Sequence, residues 1–135
     1  MNAIRILIAD DHKDFRKVVC EFLSRLPNIV VVGEACDGVD VIDKMEFCDP
    51  DVILMDITMP RRNGLDATRI IKTRWPEKKV VIATMHESEL YRTQAEEVMA
   101  DGFIAKSSIR SGLMATFGNG VFSPFITAAA VESGK

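Results

Sequence analysis

Val52-Ile53-Leu54-Met55 is a short apolar run that ends in a carboxylate, Asp56, before the chain breaks at Pro60. Read as a strand buried on both faces, it carries Asp56 out of the interior at its carboxyl end, where open parallel α/β sheets hold their chemistry. Three other runs end in chemically suitable residues: Ile4 to Ala9 in Asp10 and Asp11, Val80 to Ala83 in Thr84, and Phe103 to Ala105 in Lys106. In a parallel sheet these ends converge on one edge as three carboxylates, a hydroxyl and an ammonium. Such a set suits a divalent cation together with a phosphoryl group. On its own stretch Asp56 could equally start a turn; it is the agreement of four strand ends that favours a site.

The segments between the runs carry helical spacing. Phe15, Val18, Val19, Phe22, Leu23 and Leu26 recur at that spacing until Pro27-Asn28 stops them. Either Asp10 or Asp11 could cap this helix, although one cap does not need two acids. After a second strand at Ile29 to Val32, a shorter helix is predicted from about Val39 to Phe47, with Val39, Ile42 and Met45 inward, and Asp49-Pro50 ends it. A third helix runs from about Leu65 to Arg74. A fourth opens at Ser88-Glu89 with Leu90, Tyr91, Gln94, Ala95, Val98 and Met99. The last, about Ser108 to Phe117, contains Gly112, which costs roughly 1 kcal/mol relative to Ala in a helix interior. Five strands alternating with five helices make a doubly wound α/β sheet.

A chain of 135 residues, 47% hydrophobic, has room for one such core and no second domain. Its net charge of −3 argues against a nonspecific nucleic-acid binder, and Arg61-Arg62 reads as solvated surface. Cys20, Cys36 and Cys48 lack zinc-type spacing and read as reduced, mostly buried thiols. With no signal-peptide pattern and no membrane-length apolar run, the protein is expected to be soluble and cytoplasmic.

Asp10-Asp11, Asp56, Thr84 and Lys106, with Pro60 and Gly64 behind the central aspartate, resemble the receiver domain of two-component response regulators across about residues 3 to 117. The resemblance implies a flavodoxin-like five-stranded sheet in the order 2-1-3-4-5. It implies that Asp56 is a phosphoacceptor for a sensor histidine kinase. Mg²⁺ would be bound by Asp11, Asp56 and the backbone carbonyl of Thr58, with Asp10 acting through water. Lys106 and Thr84 would contact the phosphoryl group, and Thr84 with Phe103 would switch a partner or dimerisation surface made by the fourth helix, fifth strand and fifth helix.

Some positions depart from the family's usual pattern. Met85 replaces a small residue and is expected to crowd the phosphate; with Thr58 and His86 flanking the site, slow-to-moderate dephosphorylation is expected. Ser107 stands where many receivers have proline after the lysine, which puts a cis peptide there in doubt. Residues 118–135, with Gly118-Asn119-Gly120 and Ser123-Pro124, resemble the linker of nitrate-response and quorum-sensing (LuxR-type) regulators leading to a helix-turn-helix domain. The expected division is therefore a receiver at 1–117 and a linker or truncated start of an output region at 118–135, with DNA reached only through that missing part. A stand-alone receiver used in phosphorelay or protein interaction is the alternative. A haloacid-dehalogenase-like phosphatase would need an aspartate where Thr58 stands, and a flavin or nucleotide binder would not put Asp10-Asp11 after its first strand.

Overall fold

The computed structural model describes residues 2–85 and 88–123. The chain alternates β1 (Ile4–Ala9), α1 (Lys13–Leu23), β2 (Ile29–Ala35), α2 (Gly38–Cys48), β3 (Val52–Met55), α3 (Gly64–Arg74), β4 (Lys79–Thr84), α4 (Glu89–Glu97), β5 (Gly102–Ala105) and α5 (Ile109–Phe117). The strands are all parallel in the order β2-β1-β3-β4-β5, as the resemblance implied. Central strands with helices on both faces have no solvated side, which is why β3 reads as unbroken Val-Ile-Leu-Met.

Alternation along each strand divides the core in two. Leu7, Ala9, Ile53, Met55, Val80, Ile82 and Phe103 pack with residues of α2, α3 and α4. Ile6, Ile8, Val52, Leu54, Val81, Ala83 and Ile104 pack with α1 and α5 through Val19, Leu23, Leu113 and Phe117. Burial of each large aliphatic side chain among these contributes about 1.5–3 kcal/mol. With both faces packed, the strands carry their carboxyl ends to one edge of the sheet.

Several local expectations change. Neither aspartate caps α1: its N-cap is His12, with no side-chain cap, and Asp10 Oδ1 instead accepts from the His12 backbone N–H at 2.8 Å. The inward face of α2 is Val41, Met45 and Cys48, with Val39 and Ile42 only half-buried. Asp37, accepting from the backbone N–H groups of Val39 and Asp40, sets where that helix begins. On α4 and its exit, Ala95 and Val98 are buried while Leu90 and Met99 are exposed. Gly112 is not merely a weak point of α5. A Cβ there would collide with the Ile104 side chain, so the glycine lets α5 sit directly on β5. Of the three free thiols, Cys48 is buried, Cys20 half-buried and Cys36 exposed, against the expectation of mostly buried cysteines.

Residues 118–123 fold back on the body of the domain. Asn28 Nδ2 donates to the Gly120 carbonyl at 2.8 Å, Ser123 N–H to Thr116 at 2.8 Å, and the Phe122 and Phe117 rings meet at 5.8 Å. The expected boundary after Phe117 falls at the start of this packed turn; residues from 124 onward lie outside the described residues. No helix among the described residues is long and apolar enough to cross a membrane.

Candidate functional site

β1 and β3 are neighbours in register, with Ala9 beside Met55. The residues that follow, Asp10 and Asp56, therefore leave the sheet side by side. Their backbones stay in the ladder pattern: Asp56 N–H donates to Ala9 at 2.9 Å and Asp10 N–H to Ala35 at 3.0 Å. Both residues are buried, at 1% and 5% exposure. Two carboxylates this close in a dry edge repel each other, and the chain answers with Lys106 from the end of β5. The Lys106 ammonium lies 2.5 Å from Asp10 Oδ2 and 3.4 Å from Asp56 Oδ1.

A third neighbour of that ammonium is the ring of Phe15 on α1, whose centroid lies 4.3 Å from Nζ. A cation over an aromatic face is worth about 0.5–2 kcal/mol, more where water is excluded. Phe15, read from sequence only as helix core, thus also holds the lysine. Arg16 contributes from the same helix: it donates to the Asp10 carbonyl at 2.7 Å and to Glu34 at 2.8 Å.

Asp11 lies at the rim, and its Oδ1 is 3.1 Å from His12 Nδ1; the same nitrogen is 3.2 Å from Asp10 Oδ1. One donor atom from each of Asp10, Asp11, His12 and Asp56 lies within 4.8 Å of the others. His12 was missed in the sequence, where a lone polar residue after two acids reads as ordinary loop. Its adjacency to Asp10-Asp11 was the available signal.

Electrostatics define what the cluster wants. The Asp56 carboxyl is pushed up to about 6 from its ordinary 3.8, first by burial and then by the charge of Asp10, with Asp11 adding; Lys106 works in the opposite direction without cancelling the rise. Three carboxylates against one ammonium give Asp10, Asp11, Asp56 and Lys106 a net double negative charge when the acids are ionised. An uncompensated double negative charge on oxygen donors fits a divalent cation, and its arrival would relieve the like-charge repulsion that raises Asp56.

The loop after β3 is held at both ends. Gly64 N–H donates to Ile57 at 2.7 Å, and a Cβ at Gly64 would overlap the Asp56 carbonyl oxygen. Arg61, in left-handed backbone at φ 66°, donates from Nε to Asp37 Oδ2 at 2.9 Å. That guanidinium is the largest cause holding the Asp37 carboxyl below its ordinary range. Arg61 is therefore a clamp between this loop and the start of α2, not the free surface charge expected from Arg61-Arg62. Thr58 lies exposed in the same loop.

Thr84 ends β4 beside Ala105 and is fully buried, next in sequence to the exposed Met85. Met85 is 75% exposed and borders a cavity of about 460 Å³ with His12, Phe15, Lys106 and Ile109. His86 lies outside the described residues. Phe103 is 1% exposed, its ring enclosed among core residues on the α2–α4 side. No peptide bond among the described residues is cis, the Lys106–Ser107 bond included.

The response regulator receiver domain model matches residues 6–117. The transcriptional regulatory protein DegU of Brevibacillus brevis is 41% identical over 105 residues, covering 78% of this chain and 44% of that protein. A protein-glutamate methylesterase/protein-glutamine glutaminase of Pyrococcus abyssi is 39% identical over 106 residues, covering 78% of this chain but 29% of that protein. The chain thus spans less than half the length of these relatives, and the shared part is common to a regulator and an enzyme. Among solved structures, a LuxR-family two-component response regulator from Aurantimonas sp. SI85-9A1 superposes with a TM-score of 0.84 at 27% identity, covering 98% of this chain and 94% of that one.

Proposed function

Because the chain belongs to the response regulator receiver family, we propose that Asp56 is its phosphoacceptor and that Lys106, Thr84 and the Asp10-Asp11 pair are the machinery around it. The observation that carries this reading is the Lys106 ammonium held between Asp10 and Asp56 at 2.5 and 3.4 Å. A positive charge beside Asp56 would meet the phosphoryl oxygens as they gain negative charge.

Asp11 and Asp56, with the Thr58 carbonyl, would hold Mg²⁺, and Asp10 would act through water. When bound, this ion neutralises phosphoryl oxygens. The residues do the rest. An ionised Asp56 carboxylate attacks the phosphorus of a phosphohistidine on a sensor kinase; the new O–P bond forms as the N–P bond breaks, and the imidazole leaves with the electron pair. With its carboxyl at about 6, Asp56 is roughly nine-tenths ionised at pH 7. Lys106 then moves its hydrogen bonding from carboxylate to phosphoryl oxygen. The Thr84 hydroxyl donates to the same group, which draws in the segment after β4 and biases the surface of α4, β5 and α5, with Phe103 as packed partner.

In this reading the chain is a signalling input that turns over no outside substrate, and its phosphoryl group is lost slowly to moderately. The output, by likeness to the transcriptional regulatory protein DegU, is control of transcription through a region beyond the receiver, with dimerisation through the switched surface. The direct test is incubation with Mg²⁺ and phosphoramidate, followed by intact mass. One hydroxylamine-labile phosphoryl adduct, absent from Asp56→Asn, is expected. No adduct while Mg²⁺ binding is measurable would refute the assignment.

A further inference from the structure

We propose that residues 118–123 are a strap whose hold on the domain is set by the phosphoryl site, so that phosphorylation of Asp56 loosens the strap and frees the chain that leaves it. The inference rests on the phosphoacceptor reading for the event at Asp56 and goes beyond it in naming the element that responds. The strap joins two helices. On the α5 side it takes up carbonyls that the last turn of a helix leaves unpaired: Gly118 N–H donates to Met114 at 2.7 Å, Gly120 N–H to Phe117 at 3.0 Å and Ser123 N–H to Thr116 at 2.8 Å. On the α1 side it hangs from the turn between α1 and β2, where Asn28 Nδ2 donates to the Gly120 carbonyl at 2.8 Å. Asn28 and Gly120 are both in left-handed backbone, at φ 61° and 76°. A Cβ at Gly120 would stand 3.3 Å from Asn28 Cβ and from the Pro27 carbonyl oxygen, which leaves little slack between the two turns.

The same two helices hold Lys106 at their other ends. Phe15, in the first turn of α1, supplies the ring beside the ammonium, and Lys106 opens a single 3₁₀ turn, Lys106–Ser108, that runs directly into α5. Between its ends α5 rests on β5 at Gly112, where a Cβ would come within 2.4 Å of the Ile104 side chain, and this close contact makes a pivot. Without a phosphoryl group the lysine is drawn to Asp10, at 2.5 Å, more closely than to Asp56, at 3.4 Å. A phosphoryl group on Asp56 offers strong acceptors on the β3 side and takes that hydrogen bonding over. The start of α5 then follows its lysine away from α1, and a helix turning on Gly112 carries its far end towards the turn that holds Asn28. With little slack there, the strap is pushed out of line. Its tie is weak enough to yield, since a single neutral hydrogen bond contributes little and fails steeply with misalignment, and Phe122 is only half-buried.

Amide hydrogen exchange read by mass spectrometry tests this on the full chain. Peptides covering 118–123 are followed before and after phosphorylation with phosphoramidate and Mg²⁺, with Asp56→Asn treated identically. Exchange there should quicken about tenfold or more in the phosphorylated chain and stay unchanged in Asp56→Asn, while β1 and β3 keep their protection. Linkage requires the reverse effect as well. Asn28→Gly keeps the left-handed turn and deletes the donor, and Phe122→Ala removes the ring contact with Phe117. In calorimetric titration each should raise the affinity for beryllofluoride with Mg²⁺, a phosphoryl mimic, about 3- to 10-fold. Unchanged or slower exchange at 118–123 in a chain whose mass shows the phosphoryl adduct, or variants whose affinity does not rise, would overturn the strap while leaving the phosphoacceptor reading intact. Absence of the adduct in the unmodified chain would overturn both.

Discussion

Replacing Asp56 by Asn should make the metal-free protein more stable, because that carboxylate is held in place against its own electrostatics. Burial and the neighbouring Asp10 push its carboxyl from 3.8 in an ordinary setting to about 6. The folded state therefore holds this proton more tightly than the unfolded chain does. Well below 3.8 both states are protonated and nothing is lost. As pH rises from about 4 to about 6 the unfolded chain releases the proton first and stability falls; above about 6 the full penalty is present. The difference corresponds to about 2–3 kcal/mol at neutral pH. An asparagine of nearly the same shape removes the penalty and leaves Lys106 paired with Asp10, so melting should rise by roughly 10 °C. Urea unfolding of both proteins in a chelator at pH 7.5 and pH 4.5 measures this. The gain should be near its full size at pH 7.5 and mostly gone at pH 4.5. A variant that is no more stable at pH 7.5, or whose gain is the same at both pH values, would refute the argument.

Phe15→Leu keeps an apolar side chain but removes the ring beneath Lys106. Phosphorylation by phosphoramidate should slow about 2- to 10-fold with little change in melting, consistent with a cation–π contact of about 0.5–2 kcal/mol; an unchanged rate would remove Phe15 from the site. Gly112→Ala improves intrinsic helix propensity by about 1 kcal/mol, yet its methyl group meets Ile104. Denaturant unfolding should show a net loss of about 1–3 kcal/mol, and a gain would mean that α5 shifts away from β5 at no cost.

What sequence reading could and could not reach follows from the range of the forces involved. The central strands were legible because a two-faced burial leaves only apolar residues, as in Val52 to Met55, and their ends were legible because Asp10, Asp56, Thr84 and Lys106 are polar residues placed directly after such runs. The rotation of α2 was not, since Val39, Ile42 and Met45 make as good an apolar stripe as Val41, Met45 and Cys48. The choice between the stripes is made by contacts with distant elements. Arg61 looked like surface because its partner, Asp37, is remote in sequence. Gly112 looked like a defect for the same reason: the side chain that requires it, Ile104, lies on the neighbouring strand. His12 carried no periodic signal at all, and only the fold of β1 into α1 turns its nitrogen toward Asp10 and Asp11.

The central claim is the identity of the acceptor atom, and reductive trapping addresses it most directly. The chain is phosphorylated with phosphoramidate and Mg²⁺, reduced with borodeuteride and digested, and its peptides are sequenced by mass spectrometry. An aspartyl phosphate is reduced to homoserine, so the account predicts deuterated homoserine at position 56 and aspartate unchanged at positions 10 and 11. Label at Asp10 or Asp11, or phosphate retained on a hydroxyl or imidazole with position 56 unmodified, would contradict it.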